Sequence, residues 1–383
     1  MRYLAILGRQ PEISMAELTA LFSNVRSAGS GLATFESDTT PNIARLGGSL
    51  KIAAKIETTP LDYLRDLPEG KITLGVSIYA RGASARKAQG EALKLKKILI
   101  RHNRSVRVVE NKTAILSTAT SLHNGLSGNK PNKVELVLVE DGWWRVIGVQ
   151  DIDAYARRDQ ARPARDAKVG MLPPKLAQIL INLCGSLPDG ARILDPFCGT
   201  GVVLQEALLM GYQAYGTDIS EKMVEYAEKN LAWLTATAAE KSFSGRSGPL
   251  GQVLHPSKDF STAVGDAISF QWEQPIDAVA CEGYLGRPMS LPPAEIKMKE
   301  EKQTCRAIIL GFFKNLASQI KPGTPVVMAM PAWLRPDGSY SRLGIVDEIA
   351  NLGYNVMNKS GEGLLYYRDG QVVAREIIIL RKK

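Results

Sequence analysis

The sequence has few cysteines and few histidines, and both are scattered along the chain. The four cysteines include no CxxC pair, and the three histidines do not cluster. They are Cys184, Cys198, Cys281 and Cys305, with His102, His123 and His255. Neither a disulfide framework nor a zinc site is indicated. We therefore expect a protein of a reducing compartment, the cytoplasm, with no bound metal.

Long hydrophobic runs are also missing. No apolar stretch approaches the roughly 18 residues that a membrane-spanning helix needs. The N-terminal "MRYLAILGRQPEIS" lacks the apolar segment and small-residue cleavage site of a secretory signal peptide. We therefore expect a soluble protein that does not associate with membranes.

Acidic residues are outnumbered by basic ones. The chain has 48 Lys and Arg against 39 Asp and Glu, which gives a net charge of +9. A basic balance favours a polyanionic partner, although charge alone is only supporting evidence. With 383 residues, of which 45% are hydrophobic, the chain suits two or three domains with sizeable cores.

Strand and helix patterns divide the chain into four segments. Residues 1–58 form a small α+β unit, whose first helix is predicted to start at Ser14, with Glu17 completing a capping box. Residues 59–152 form a second α+β module, and the Arg- and Pro-rich residues 153–169 are predicted to be a linker. Residues 170–383 form the last domain.

Strands and helices alternate in this last domain. "ARILDPF", "TGVVLQEALLMG", "YQAYGTD" and "SEKMVEYAEKNLAWL" read as strand, helix, strand and helix. After a polar insertion at residues 235–252 the alternation returns and ends in a strand pair. The pattern predicts an α/β fold with a doubly wound, seven-stranded sheet.

A glycine turn follows the first strand of this sheet, where such folds bind ligands. Gly199 and Gly201 in "DPFCGTG" permit positive φ and let the backbone approach a ligand, while Asp195 can bind a cationic or hydrogen-bond-donating group. Leu204 stands where a dinucleotide fingerprint needs a third glycine, and no Gly-Lys-Ser/Thr follows. The turn therefore need not bind phosphate.

Acidic residues also end the next two strands. Asp218 can accept hydrogen bonds from both hydroxyls of a ribose, and Asp266 can accept from the exocyclic amine of adenine. Acids at strand ends also cap helices or remain solvated. Three of them at successive strand ends predict an adenosine-type ligand.

These motifs carry a resemblance to a known family. "DPFCGTG", Asp218 and "GDA" resemble class I S-adenosylmethionine-dependent methyltransferases. "ARRDQARPARDAKVGMLPPKLAQILINL" resembles the segment that introduces the catalytic domain of THUMP-domain tRNA guanine-N2 methyltransferases, and both chain ends resemble that family as well. The resemblance implies a ferredoxin-like and THUMP RNA-binding half, a Rossmann-like catalytic half, and S-adenosylmethionine as cofactor. The cofactor-binding set would be Asp195, Pro196, Phe197, Gly199, Thr200, Gly201, Asp218, Ile219, Asp266 and Ala267.

The fourth strand ends in "CEGYLG", which departs from the family pattern of Asp or Asn, Pro, Pro, then Tyr or Phe. The resemblance makes Glu282 and the backbone near Gly283 the acceptors for the target amine, with Tyr284 stacking on the base. The implied reaction is methyl transfer to the exocyclic N2 amine of a guanosine in tRNA. The missing diproline leaves two alternatives, an amino-methyltransferase of DNA adenine or cytosine, and a non-catalytic RNA-binding protein.

Cys281 raises a further possibility, since a cysteine can attack a pyrimidine in carbon-5 methylation. No proline precedes it, and "IDAVAC" reads as a buried strand, so packing is the favoured role for Cys281 and for Cys198.

Basic residues crowd one predicted helix with its flanks, and also the linker. Few acids interleave, which favours phosphate contacts with RNA over a merely solvated surface. They are Arg81, Arg86, Lys87, Lys94, Lys96, Lys97, Arg101, Arg104 and Arg107, with Arg157, Arg158, Arg162 and Arg165 in the linker. Trp143 and Trp144 offer stacking surfaces, but strand alternation predicts that one of them is core. No feature of the sequence indicates a protein partner.

Overall fold

The computed structural model describes residues 1–166, 171–238, 257–358 and 364–383. The chain forms two compact units, Met1–Tyr155 and a second that runs from Ala156 to Lys383. We call them the N-terminal and C-terminal units.

The N-terminal unit is built on one mixed sheet with the strand order β2-β3-β1-β4-β8-β7-β5-β6. The pairings of β5 with β6 and β7 are parallel, and the others are antiparallel. Its strands are β1 Arg2–Leu7, β2 Ser23–Ser27, β3 Leu32–Glu36, β4 Ser49–Lys55, β5 Ile72–Tyr79, β6 Val106–Val108, β7 Lys133–Val139 and β8 Gly142–Val149. Its helices are α1 Pro11–Leu21, α2 Pro60–Arg65, α3 Ala85–Arg101 and α4 Thr118–His123, with a short 3-10 helix at Ile43–Arg45.

Strand β1 shows how this sheet is covered. Tyr3 and Leu7 pack in one hydrophobic cluster, whereas Leu4 and Ile6 pack in another. Because successive side chains of a strand point to opposite faces, apolar residues bury both faces of the sheet at β1.

The first helix starts earlier than expected. Helix α1 begins at Pro11, since proline suits the first turn of a helix, so the predicted start at Ser14 is wrong. Ser14 Oγ instead donates to the carbonyl of Gly48 at 2.7 Å. The buried Glu17 carboxylate accepts from the N–H groups of Gly47 and Gly48 at 2.9 and 2.8 Å. These side chains fasten a loop to the helix and do not cap it.

The predicted division at residue 58 does not coincide with a break in the sheet. Strand β4, before this position, pairs with β8, after it, through the register Lys51↔Val149 to Lys55↔Trp144. The domain boundaries themselves stay a prediction.

The C-terminal unit has a central sheet with the order β11-β10-β9-β12-β13-β17-β15. Short strands β14 and β16 pair with β13 and β17. The strands are β9 Arg192–Asp195, β10 Gln213–Asp218, β11 Phe260–Val264, β12 Ala278–Glu282, β13 Pro325–Leu334, β14 Tyr340–Arg342, β15 Tyr354–Val356, β16 Leu365–Tyr366 and β17 Val373–Lys382. The helices are α5 Ile152–Gln160, which starts in the N-terminal unit, α6 Pro174–Leu183, α7 Val202–Leu209, α8 Glu221–Ala238, α9 Glu295–Leu316 and α10 Val346–Asn351.

This topology confirms the predicted α/β class and the seven-stranded path. Strands β9 to β13 are parallel, while β17 is antiparallel to both β13 and β15. The chain runs outward from β9 to β11 and returns to β12 on the other side of β9. In such sheets the point where the strand order reverses is the place for a ligand.

The segment predicted as a linker is partly ordered into a helix. Helix α5 covers Ile152–Gln160, and Arg158 and Arg162 are buried at 4% and 3% exposure. Residues 153–160 are therefore helical and partly buried, and the linker assigned to residues 153–169 stays a prediction. Residues 167–169 of that segment and residues 239–252 of the predicted insertion lie outside the described residues.

Within the described part of the chain, no helix is long and apolar enough to span a lipid bilayer.

Candidate active site

Three acids end adjacent strands at one edge of the C-terminal sheet. Asp195 is the last residue of β9 and Asp218 the last of β10, and Asp266 follows β11 by two residues. The parallel register places Asp195 beside Gly216 and Asp218 beside Val264. The structure therefore brings the three predicted acids together at the carboxyl edge of the sheet.

The glycine turn between β9 and α7 uses its glycines in two ways. Gly199 and Gly201 have φ of 50° and 82°. A Cβ at Gly201 would lie 3.1 Å from the Cβ and 3.2 Å from the Cα of Ala227, so this glycine allows the turn to pack closely against α8. A Cβ at Gly199 would meet nothing closer than the Phe197 carbonyl oxygen at 4.0 Å. Gly199 thus leaves open space where a ligand can approach the backbone.

Asp218 joins this turn to the end of β10. Its Oδ2 accepts from the N–H of Gly199 and its Oδ1 from the N–H of Ser220, both at 2.9 Å. Each carboxylate oxygen has a second lone pair. Asp218 is held in place by the backbone and can still accept from two ribose hydroxyls.

Asp266 offers a carboxylate at this edge of the sheet, and Ala267 and Ile219 offer apolar side chains. Asp266 Oδ1 accepts from the N–H of Ile268 at 3.1 Å. Ala267 is buried, and its carbonyl accepts from Asn315 Nδ2 at 3.0 Å. Ile219, directly after Asp218, is 71% exposed. An exposed isoleucine next to Asp218 can cover one face of an adenine ring.

Asp195 lies in an unfavourable electrostatic position. It is 2% exposed, and among the described residues its Oδ1 accepts from the N–H of Phe197 at 3.1 Å. Burial raises the pKa of Asp195 well above the usual range, and the carboxylates of Asp218 and Glu282 raise it further. No described cation forms an ion pair with this group. A ligand that brings a positive charge would stabilise its ionised form.

Three residues of the turn, Pro196, Phe197 and Thr200, contact the surrounding core. The Pro196 carbonyl accepts from Thr217 Oγ1 at 3.5 Å, and the Phe197 ring packs edge-on against Phe312. The Thr200 carbonyl accepts from Asn230 Nδ2 at 2.9 Å. These residues support the predicted cofactor site.

Two arginines predicted to contact RNA are buried in the C-terminal unit. Arg158 forms an ion pair with Glu206, with Nε and Oε1 2.8 Å apart. Arg162 Nη1 lies 3.3 Å from Thr200 Oγ1, and no described residue accepts from its Nε. RNA contact by Arg158 and Arg162 is therefore wrong for this conformation, because their side chains are 4% and 0% exposed. Arg157 and Arg165 are exposed.

Glu282 ends β12 and is paired with an arginine from the last strand. Arg375 Nε donates to Glu282 Oε1 at 2.5 Å, and the Glu282 side chain keeps 17% exposure. Burial raises the pKa of Glu282, and the charge and hydrogen bond of Arg375 lower it. The side chain can act as a hydrogen-bond acceptor at the sheet edge.

The next two residues are held by the core. Gly283 N–H donates to the Ala329 carbonyl at 3.0 Å, and a Cβ on Gly283 would lie 3.1 Å from Met328 Sδ. Tyr284 is partly buried against the main hydrophobic cluster, and burial raises the pKa of its hydroxyl. Its remaining exposed surface is what could stack on a base.

Cys281 is fully buried, and burial raises the pKa of its thiol well above the ordinary value. Such a thiol is a poor nucleophile. This agrees with the packing role expected for Cys281, and Cys198 is likewise buried at 5% exposure.

In the N-terminal unit, helix α3 presents part of the predicted basic surface. Arg86, Lys97 and Arg101 are exposed, and no described residue pairs with them. Arg104 instead binds the carbonyls of Leu67 and Pro68 at 3.0 and 2.7 Å. Of the remaining predicted contacts, Arg81, Lys87, Lys94 and Arg107 are exposed and Lys96 is half-buried.

The two tryptophans confirm the alternation argument. Trp144 is fully buried and its Nε1 donates to Asp141 at 2.9 Å. Trp143 is half-buried beside another cluster.

The site's residues also match a family model. Residues 162–245 match UPF0020, described as an RMKL-like methyltransferase domain. The chain contains a methyltransferase domain. This match includes the glycine turn, Asp195 and Asp218.

Curated relatives of this methyltransferase domain agree with the expected resemblance. A tRNA (guanine(10)-N2)-dimethyltransferase of Methanothermobacter thermautotrophicus is 30% identical over 178 residues, which cover 46% of this chain and 44% of that protein. The protein of the same name from Pyrococcus abyssi is 27% identical over 309 residues, which cover 76% of this chain and 80% of that protein. The chain thus spans less than half of the first relative's length.

Among solved structures, TrmN from Thermus thermophilus aligns over 100% of both chains with 19% identity and a TM-score of 0.46. The family model and the curated relatives confirm the expected resemblance to guanine-N2 methyltransferases. The THUMP part of that expectation stays a prediction.

Four side chains around the site were not anticipated as contacts. Arg375 reaches Glu282 from 93 residues away, and Asn230 binds the carbonyls of Ala164 and Thr200, both at 2.9 Å. Arg158 and Arg162 were expected at the surface. No local motif marks any of these contacts, because each partner lies on a distant element.

Proposed function

We propose that this protein transfers a methyl group from S-adenosylmethionine to the exocyclic N2 amine of a guanosine in tRNA. The observation that carries the proposal is the convergence of Asp195, Asp218, Asp266 and Glu282 at the carboxyl edge of a methyltransferase domain. The relatives named above as tRNA (guanine(10)-N2)-dimethyltransferases supply the substrate class.

The residues present fit the proposed cofactor. Asp218 would accept from the ribose hydroxyls and Asp266 from the adenine amine, with Ile219 and Ala267 beside the ring. Asp195 would face the positively charged methionine end, while Gly199 provides the open backbone next to it. Pro196, Phe197, Thr200 and Gly201 would hold that turn in shape. S-adenosylmethionine supplies an electrophilic methyl group on a sulfonium.

The chain's own contribution to transfer would be alignment and charge. Glu282 would accept a hydrogen bond from the target amine, orient its lone pair and stabilise the positive charge that develops as the nitrogen gains the methyl group. The proton that the nitrogen then loses would pass along this hydrogen bond to the Glu282 carboxylate. Tyr284 would stack on the base, and the backbone near Gly283 would help to place the amine.

The basic surface of α3 supports tRNA as the polyanionic partner. A cytoplasmic location is part of the proposal, and the four cysteines are all buried and unpaired with one another.

Two measurements test the proposal. Calorimetry with S-adenosylhomocysteine should show binding that Asp218→Ala abolishes, because the variant loses the ribose acceptor and the anchor of Gly199. Methylation by the full chain should occur on tRNA, with methyl label recovered as N2-methylguanosine. Label in duplex DNA would favour the DNA amino-methyltransferase alternative, and cofactor binding without turnover would favour a non-catalytic RNA-binding protein.

A further inference from the structure

Arg375 is a buried cation at the carboxyl edge of the C-terminal sheet. Its side chain is 4% exposed, and its Nε donates to Glu282 Oε1 at 2.5 Å. In the sheet register Arg375 lies opposite Pro331, two residues along β13 from Ala329, which pairs with Glu282. The arginine thus reaches across β13 to the end of β12.

Apart from Arg375, the described charges around Glu282 and its neighbours are mostly negative. Among the described residues, no second cationic side chain forms an ion pair with Glu282, Asp195 or Asp218. The Glu282 carboxylate is close enough to Asp195 to oppose its ionisation and raise its pKa. The described titratable groups that act on Glu282 or on its neighbours are Asp195 on β9, Asp218 on β10, Cys281 on β12, Tyr284 and Arg287 after it, Cys184 after α6, Glu301 and Cys305 on α9, and Arg375 on β17.

We infer that Arg375 is a positioning residue for the proposed methyl transfer, keeping Glu282 a carboxylate and fixing Oε1 so that Oε2 remains to accept from the target amine. No described residue donates to Oε2. The inference rests on the proposed function, and it gives a role to an arginine outside the "CEGYLG" motif.

The chemical reason lies in the hydrogen-bonding capacity of the acid. An ionised carboxylate only accepts, whereas a protonated one also carries an O–H donor. A target amine donates through its N–H groups, so a second donor at this position would compete with it. Because burial favours protonation of Glu282, the charge and hydrogen bond of Arg375 are what oppose it.

A second ion pair on the same strand provides a matched control. Arg342 Nη1 lies 2.9 Å from Glu376 Oε1, and the Glu376 side chain is 2% exposed. This pair joins β14 to β17 but does not involve Glu282. The Arg342 side chain is 24% exposed, so the pair is only partly buried. Arg342→Met therefore reports how activity changes when a buried carboxylate in this part of the sheet loses its arginine.

The first test is a pH profile of single-turnover methylation of tRNA by the full chain, from about pH 6 to about pH 9. Arg375→Met raises the pKa of Glu282, so less of it is ionised at low pH. We expect the methylation rate to fall roughly 10-fold or more near neutral pH, the scale of one misplaced transition-state contact. This rate loss should become smaller as pH rises. Arg375→Lys should shift the profile less, and Arg342→Met should not shift its acidic limb.

The double variant separates positioning from structure. If Arg375 acts through Glu282, Arg375→Met should add little to the loss already caused by Glu282→Gln, because that side chain does not titrate. The inference would be overturned if Arg375→Met lowered the methylation rate by the same factor at every pH. It would also be overturned if the rate loss of the double variant equalled the product of the two single-variant losses.

Stability gives a readout that does not need activity. Glu282→Gln should destabilise the wild-type protein but stabilise the Arg375→Met variant, which holds an uncompensated buried carboxylate. The same sign in both backgrounds would count against the coupling. A wild-type protein that neither binds S-adenosylhomocysteine nor methylates tRNA would refute the proposed function, and with it the positioning role of Arg375. If Glu282→Gln still had opposite effects on stability in the two backgrounds, the ion pair between Arg375 and Glu282 would be supported independently of activity.

Discussion

The guanidinium of Arg158 and the carboxylate of Glu206 form a buried ion pair behind the glycine turn. Arg158 Nε and Nη2 lie 2.8 and 3.3 Å from the two oxygens of Glu206, and the side chains are 4% and 1% exposed. The pair links α5, which was expected to be a linker, to α7, which follows the turn. The segment that enters the methyltransferase domain is therefore part of its fold.

Arg158→Met should lower the free energy of unfolding by about 3–5 kcal/mol, because it leaves the Glu206 charge buried without its partner. Adding Glu206→Gln should recover part of that loss. Denaturant unfolding of the single and double variants measures both effects. Lys229→Met, which removes the exposed pair with Glu225, is the control and should change little. A loss no larger than that of the control would mean that Arg158 is solvated.

Asp195→Asn should stabilise the protein without cofactor at neutral pH while weakening cofactor binding. In the folded protein the pKa of Asp195 lies well above its ordinary 3.8, so the unfolded chain loses this proton first. The native state binds more protons in that range, and stability falls as pH rises from the ordinary pKa towards the folded one. The gain from Asp195→Asn should accordingly be small near pH 3.8 and grow as pH rises.

Unfolding of wild type and Asp195→Asn at several pH values measures this gain. Calorimetry of S-adenosylhomocysteine in buffers of different ionisation enthalpy should also detect proton release on binding, absent in the variant. A stability difference that does not change with pH would show that Asp195 titrates normally.

The two glycines of the turn should respond differently to alanine. Gly201→Ala combines positive φ with a Cβ 3.2 Å from the Ala227 backbone, so it should cost stability of the order of 1–3 kcal/mol. Gly199→Ala meets open space and should cost only the backbone strain. Its larger effect should be weaker binding of S-adenosylhomocysteine.

Gly190 is the matched control for both, because it has φ of 72° and a Cβ added there would meet nothing within 4 Å. Gly190→Ala should lower stability only by the backbone strain of a positive φ, and it should leave the affinity for S-adenosylhomocysteine unchanged. If Gly199→Ala binds S-adenosylhomocysteine as tightly as Gly190→Ala does, the open space at Gly199 is not the ligand approach.

The sequence was sufficient for features that depend on local pattern. Strand periodicity followed by an acid located Asp195, Asp218 and Asp266, and helix propensity ending at Gly211 located the end of α7, where this glycine has φ of 86°. The register of a parallel sheet then brings such strand ends together.

Features that depend on distant partners were not predictable from the sequence. The sequence pattern around Arg158 and Arg162 is that of a basic surface. Only the structure shows that they contact Glu206 and Thr200. Ser14 and Glu17 have capping-box spacing, yet the helix begins at Pro11. Both side chains instead form hydrogen bonds to the backbone of Gly48. Arg375 meets Glu282 only because β17 lies next to β13.

The exposed basic residues of α3 should contribute to tRNA binding by the full chain. Arg86→Gln, Lys97→Gln and Arg101→Gln should each weaken binding, and the triple variant should lower the slope of log affinity against log salt by about 2–3, since each phosphate contact releases close to one counterion. Titrations of tRNA at several salt concentrations measure this slope.

Lys94→Gln is the control on the same helix, because Lys94 is exposed but its Nζ already lies 2.7 Å from Glu91 Oε1. Removing a charge that is neutralised by its neighbour should change both affinity and salt slope less than any of the three other single variants. Phosphate contacts carry no sequence information, so the triple variant should lose affinity for unrelated RNA in the same proportion. An unchanged salt slope in the triple variant would place the tRNA contact elsewhere, because an exposed cation that binds phosphate cannot be removed without releasing fewer counterions.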